Sequence, residues 1–135
     1  DIVIIGEGQS ELEDYLKEEV EKAGGYVSFD THPEAGLYYR SDHYNFAKVG
    51  IPALFPSSGI DVIGKGKAYG QKLEDDYTDH NYHQPSDNYS AAWPMEAGIN
   101  DLKLFFLVGK RLAFEEKWPQ WKSTSEFKAI RDKKK

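Results

Sequence analysis

One stretch of the sequence concentrates side chains that can bind a metal ion. His80 and His83 lie in a segment that also carries four carboxylates, Asp75, Asp76, Asp79 and Asp87. Imidazole and carboxylate groups suit a borderline metal such as zinc. Because the chain has no cysteine, any metal site must use these two ligand types. Acidic segments with histidines are also often plain solvated loops, so composition alone leaves both interpretations open.

A second group of reactive side chains lies where a loop is expected to meet a helix. The run Tyr38-Tyr39-Arg40-Ser41-Asp42-His43 places charged and polar groups at that junction. Asp42 has an ordinary use there, because a negative charge in the first turn offsets the helix dipole. A role in a site and a role in starting the helix are both compatible with the pattern.

Together the two groups resemble a known enzyme family. The run Tyr39–Ala53, YRSDHYNFAKVGIPA, is followed later in the chain by Tyr82–Asp87, YHQPSD. Both resemble the C-terminal half of the di-zinc aminopeptidase family, which includes bacterial leucyl aminopeptidases and, more remotely, glutamate carboxypeptidase, glutaminyl cyclase and transferrin receptor. The resemblance extends from Asp1 to about Leu112, and the order and spacing of the two motifs make it specific.

The resemblance implies roles for individual residues. His83 corresponds to the last zinc ligand of the family, and Tyr82 to a tyrosine that contacts the substrate carbonyl. A phenol can donate to the oxyanion that develops when a peptide carbonyl is attacked. Asp87 is a candidate to orient the His83 ring or to hold the loop, and a turn-forming Asp is its ordinary alternative. Pocket positions are implied for Ser41, Asp42 and His43, with Arg40 a candidate for contacting substrate or a carboxylate.

The resemblance also implies that most of the zinc site lies outside this sequence. Family members bind two Zn²⁺ with five protein ligands, of which only the late histidine is present, as His83. The other four ligands and the catalytic Glu are expected upstream of Asp1, in a missing N-terminal half of the catalytic domain. Since catalytic zinc normally needs three protein ligands, these 135 residues alone are predicted to be inactive.

The parent protein implied by the resemblance is a metallo-aminopeptidase. It would hydrolyse the N-terminal bond of a peptide substrate with metal-activated water, using two Zn²⁺. Two alternatives stay open: a glutaminyl-cyclase-like acyltransferase, and a receptor-like homologue without catalysis. The resemblance favours a periplasmic or secreted location.

The elements that must position these residues alternate between strand and helix. Ile2–Ile5 is a continuous apolar run, typical of a strand buried on both faces. Ser10 and Glu13 form a capping box that begins an amphipathic helix ending near Gly24. A strand at 26–29, a helix at 42–49 and a strand at 51–55 follow. The alternation predicts an α/β fold with a mostly parallel sheet flanked by helices. The resemblance implies that this is part of the three-layer zinc-exopeptidase (phosphorylase/hydrolase-like) fold.

The second half of the chain is less regular. Residues 56–92 show no periodicity and predict a long ordered loop at the active site. A helix with a broad apolar face is predicted at 94–116, and Ser123 is a candidate cap for a last short helix. We therefore divide the chain into residues 1–116, part of the catalytic domain, and 117–135, a C-terminal extension ending in lysines.

Charge and composition exclude some partners and suggest another. A net charge of -6 argues against nucleic acid, whose binding needs a basic face, and no run is long enough to span a membrane. An apolar strand directly at Asp1 suggests the C-terminal part of a longer protein; a mature domain whose N-terminal strand is tied into its own sheet is the alternative. The Ile2–Ile5 strand would then expose an unpaired edge, which favours a homodimer through the sheet.

Overall fold

The structure is a computed structural model that describes residues 1–133. It contains three strands, β1 (Ile2–Ile5), β2 (Val27–Phe29) and β3 (Phe55–Ser58). The α-helices are α1 (Leu12–Lys22), α2 (His43–Ala47), α3 (Lys67–His80), α4 (Glu96–Phe114) and α5 (Lys128–Asp132), and two 3₁₀ turns lie at Pro33–Ala35 and Leu37–Arg40. The strand order β2-β1-β3 places the first strand at the centre of the sheet.

The apolar run at the start of the chain explains why β1 is central. Alternate side chains of a strand point to opposite faces. Ile2 and Ile4 belong to one hydrophobic cluster, and Ile5 belongs to another with Val3 packed against it. A strand that must bury both faces is covered on both sides, so the prediction of a doubly buried strand is confirmed.

Helices α1 and α4 cover the first face. Leu12, Leu16 and Val20 repeat at helical spacing on α1 and pack with Ile2 and Ile4, and α4 adds Val108. Half of the predicted capping box is present, because the Glu13 carboxylate accepts from the Ser10 N–H at 3.0 Å. The other half is wrong: the Ser10 hydroxyl accepts from the Leu12 N–H at 3.3 Å, and the Glu13 N–H donates to the Ser10 carbonyl at 3.2 Å.

The second face is covered by α2, the 3₁₀ turn at Leu37–Arg40 and the end of the chain. Tyr38, Ala47, Trp121 and Phe127 form a buried cluster with Ile5. Helical layers therefore lie on both sides of the sheet, which confirms the α/β three-layer arrangement.

The sheet is mixed, not mostly parallel. β2 pairs with β1 in parallel, whereas β3 pairs antiparallel, with Ile2 opposite Ser58 and Ile5 opposite Phe55. Strand β3 also begins at Phe55, where the predicted strand ended. A strand runs parallel or antiparallel to its neighbour depending on the end of the sheet at which its connection enters. The alternation of strands and helices does not determine that end, so it could not predict the direction of β3.

The prediction that β1 exposes an unpaired edge is wrong. Because β1 pairs on both sides, the outer edges of the described sheet belong to β2 and β3. β2 and β3 therefore take the positions at which further strands could add.

The long loop predicted at 56–92 contains a helix, α3. Tyr69, Leu73 and Tyr77 repeat at helical spacing on α3, a signal that the loop prediction missed. Gly70 is the buried residue of α3, and this short apolar stripe stays largely exposed. The contacts of α3 include the Gln71–Asp75 hydrogen bond of 2.9 Å within the helix and the Lys67 ammonium 5.6 Å from the centre of the Tyr26 ring. Helix α5 begins at Lys128, too far along for Ser123 to cap it. Among residues 1–133, no helix is long and apolar enough to cross a membrane.

Gly6 is the position at which backbone geometry and packing both require glycine. Its φ is +75°, and a Cβ there would lie 2.1 Å from Cδ2 of Tyr38. We predict that Gly6→Ala lowers the free energy of unfolding by about 3 kcal/mol or more, because backbone strain adds to the clash. Gly36→Ala is the matched control, with φ +67° and open space around the added carbon. It should cost only about 1 kcal/mol.

Denaturant titration measures both variants. Equal losses of stability for Gly6→Ala and Gly36→Ala would show that the Tyr38 ring does not pack against Gly6 as described.

Candidate functional site

A cleft of about 350 Å³ opens where β1 and β2 end. In open α/β sheets, ligands bind at the carboxyl ends of the strands. The turn after β1 lines this cleft, as do the residues directly after β2 and the 3₁₀ turn that carries Tyr38 and Tyr39. We call it the carboxyl-end cleft; its lining residues are Gly6, Glu7, Gln9, Phe29, Asp30, Pro33, Gly36, Leu37, Tyr38 and Tyr39. Two carboxylates and several apolar groups give it an acidic, partly hydrophobic wall.

One buried carboxylate holds the turn after β1. Glu13 accepts hydrogen bonds from the N–H groups of Gly8 at 3.0 Å, Gln9 at 2.5 Å and Ser10 at 3.0 Å. The ammonium of Lys122 lies 3.2 Å from the same carboxylate. Burial alone would lower the pKa of Lys122, but hydrogen bonds to Asp14 and Glu13 outweigh it, and the pKa is raised. The Glu13 side chain, at the start of α1, therefore fixes the backbone of this turn.

The opposite wall carries two aromatic side chains, Tyr38 and Tyr39, and the His43 ring packs against Tyr38 without lining the cleft. Tyr38 is buried, and its ring packs against Gly6. Burial raises the pKa of the Tyr38 hydroxyl above its usual range, so it stays a neutral phenol. The His43 ring lies 4.5 Å from Tyr38 and 5.0 Å from Phe55 between ring centroids. Burial lowers the pKa of His43, and its Nε2 is buried with no hydrogen-bond partner among the described residues.

The other predicted residues of this segment, Arg40, Ser41 and Asp42, do not line the cleft. Arg40 ends the 3₁₀ turn that contributes Tyr38 and Tyr39, and its side chain is exposed. The Ser41 carbonyl accepts from the Tyr44 N–H at 3.1 Å, and the Asp42 carbonyl accepts from the Asn45 N–H at 3.1 Å. Asp42 directly precedes α2, as expected for a residue that starts a helix.

Tyr82 and His83 lie elsewhere, in an exposed turn after α3. Their rings are 4.0 Å apart between centroids, and Tyr82 also approaches Tyr77 at 6.1 Å. His83 has φ 58°, the one non-glycine residue of the described chain in the left-handed region. Such strain is uncommon outside functional sites and tight turns. Neither residue lines the carboxyl-end cleft.

Asp87 supports this turn through a tyrosine. The Tyr77 hydroxyl donates to the Asp87 carboxylate at 2.9 Å, and that hydrogen bond raises the pKa of Tyr77. The Asp87 N–H donates to the Gln84 carbonyl at 3.0 Å. Of the two roles considered for Asp87, the contacts correspond to holding the loop.

The described residues do not complete a metal centre. Within residues 1–133, no group of three or more His, Asp or Glu side chains could hold a metal ion. His83 offers one exposed imidazole, which is suitable as one zinc ligand but insufficient for a catalytic site. Among residues 1–133, no hydrogen bond or ring contact joins the 38–43 group to the 82–87 group.

Sequence patterns did not single out Glu7, Gln9 or Asp30. A signal was nevertheless present, because Glu7 follows β1 after one glycine and Asp30 follows β2 directly. Acidic residues placed immediately after buried strands lie at the edge where ligands bind. Applying that rule to each strand end would have identified the cleft.

Comparison with known proteins gives one family. A family model described as peptidase family M28 matches residues 1–105. No curated protein and no solved structure matches the chain.

His43 gives the structure a testable response to pH. Its pKa is lower in the folded chain than in the unfolded one, so the unfolded chain binds the proton more readily. The stability that depends on neutral His43 is complete above the unfolded pKa of about 6.5 and is lost as the pH falls below it. We predict that His43→Phe, which cannot titrate, reduces the fall in unfolding free energy between about pH 7 and about pH 5.

Denaturant titrations at each pH provide the measurement. Parallel curves for the wild type and His43→Phe would contradict the buried placement of this ring.

Proposed function

The chain belongs to peptidase family M28, and on that premise we propose that it forms the C-terminal part of a zinc-dependent aminopeptidase. Members of this family are peptidases and are generally zinc-dependent. The finer assignment, release of N-terminal residues from a peptide substrate with two Zn²⁺ bound, is our proposal. We further propose a periplasmic or secreted location.

The observation that carries the proposal is the extent of the family match. Residues 1–105 include both the 38–43 segment and the 82–87 segment. They also include β1 and β2, whose ends form the carboxyl-end cleft. The match therefore covers every residue to which we assign a role in the reaction.

His83 and Tyr82 have complementary roles in this proposal. His83 contributes an imidazole to one zinc ion. Zinc, when bound, polarises a carbonyl and lowers the pKa of a coordinated water. Tyr82, whose ring lies beside His83, would donate a hydrogen bond from its hydroxyl to the substrate oxygen as negative charge develops there. Tyr82 is 52% exposed, so its hydroxyl is available to a ligand.

The remaining ligands must come from outside the described residues, because no ligand cluster exists within residues 1–133. We propose that they belong to an N-terminal half of the same catalytic domain. Helix α4 supports this, since Ile99, Leu102 and Phe106 form an exposed apolar stripe at helical spacing. The outer edges of β2 and β3 are a second place for that half to add. A second copy of the chain is the alternative occupant of these surfaces.

The chain alone is then proposed to lack peptidase activity. One imidazole does not position a zinc ion and a water molecule together. The pocket groups Ser41, Asp42, His43 and Arg40 and the loop-holding Asp87 contribute shape and charge, and they do not replace the missing ligands.

Substitution of His83 in the full-length protein tests the proposal. We predict that His83→Ala lowers bound zinc by one ion per chain and peptidase activity by at least about 100-fold, because a metal ligand is lost. Tyr82→Phe should retain the full zinc content and lower kcat by roughly 100-fold, because only an oxyanion donor is lost. Metal analysis of purified protein and hydrolysis of an aminoacyl substrate measure both effects.

His80→Ala is the matched control, three residues away in the same exposed segment, and should leave zinc content and activity unchanged. Wild-type activity in His83→Ala would overturn the assignment.

A further inference from the structure

The segment after α4 returns along the turn that follows β1. We call residues 117–127 the strap; it lies outside the region that the family model matches. Its backbone makes an antiparallel bridge between Trp121 and Ser10. The Glu11 N–H donates to the Gln120 carbonyl at 2.9 Å, and the Lys122 N–H donates to the Gln9 carbonyl at 2.8 Å. The strap thus lies directly on the turn that lines the carboxyl-end cleft.

Two buried aromatic residues anchor the strap. Trp121 and Phe127 pack with Ile5 and Tyr38 in the cluster on the second face of the sheet. The indole N–H of Trp121 donates to the Gly50 carbonyl at 3.0 Å in a buried hydrogen bond. Residues 122–126 of the strap lie between these two buried aromatic side chains, which can hold the groups between them in place.

Between these anchors, the strap contacts both walls of the cleft. The Ser125 hydroxyl donates to Oε1 of Gln9 at 2.8 Å, and Gln9 lines the cleft on the turn after β1. The Tyr39 hydroxyl donates to the Glu126 carboxylate at 2.7 Å, and Tyr39 lines it on the 3₁₀ turn. Adjacent strap residues therefore hold two lining side chains that come from different elements.

We infer that the strap positions the walls of the carboxyl-end cleft for the peptide substrate, with Ser125 and Glu126 as positioning residues. This inference rests on the proposed peptidase function. Tyr39 directly precedes Arg40 and Ser41, so Glu126 also holds the start of the segment to which pocket roles are assigned. Fixing Gln9 and Tyr39 before binding removes the entropy cost of ordering them when the substrate arrives.

Steady-state kinetics of the full-length protein provides the first test. Ser125→Ala and Glu126→Ala should each raise KM for a peptide substrate by about threefold to tenfold and leave kcat within about twofold, because uniform binding is lost. Glu126→Gln keeps an acceptor oxygen for Tyr39 and should recover most of that loss. Ser123→Ala and Glu116→Ala, at exposed positions nearby, are the matched controls and should leave KM unchanged.

Hydrogen exchange provides a test that does not depend on activity. In the full-length protein, Glu126→Ala should speed amide exchange of residues 36–41, and Ser125→Ala that of residues 6–10, relative to Ser123→Ala. If exchange changes but no peptidase activity exists, the proposed function fails and the positioning by the strap stands. Unchanged exchange in both variants, or an unchanged KM in an active enzyme, would overturn the inference.

Discussion

The buried carboxylate of Glu13 is the interaction on which the cleft side of the molecule depends. A buried charge is tolerated only when its hydrogen-bonding capacity is satisfied. Glu13 meets that condition because it accepts hydrogen bonds from three consecutive backbone N–H groups, those of Gly8, Gln9 and Ser10, and pairs with Lys122. One side chain at the start of α1 therefore fixes the end of β1, the turn after it and the segment that returns from α4.

The rest of the arrangement follows from that constraint. With the turn fixed, the Tyr38 ring can pack against Gly6. Tyr39 lies on the same 3₁₀ turn as Tyr38, and the Ser41-Asp42-His43 segment follows that turn at the same edge of the sheet. Lys122 pairs with Glu13 and so holds the strap against the turn, and the Ser125 hydroxyl donates a hydrogen bond to Gln9 on the same turn. His83 is outside this network, in an exposed turn supported by Tyr77 and Asp87. The two groups of predicted site residues are consequently held by separate sets of contacts.

Much of the central architecture could be predicted from the sequence. The apolar run Ile2–Ile5 had to be buried on both faces, and Ser10 with Glu13 had to start a helix, because both patterns act over a few residues. The direction of β3 depends on the path of its connection, so periodicity could not predict it. Helix α3 carries Tyr69, Leu73 and Tyr77 at helical spacing, but this short stripe lies among many polar residues and was interpreted as part of a loop. The strap was predicted as an appended extension, because contacts such as Trp121 to Gly50 join distant positions that no local pattern relates.

The central claim is that this chain contributes a single ligand, His83, to a zinc centre completed by another part of the protein. Calorimetric titration of the 135-residue chain with zinc, with circular dichroism to show that it is folded, tests that claim most directly. We expect no tight binding, because the described residues contain no cluster of three ligands. Tight binding of two zinc ions per chain would contradict it.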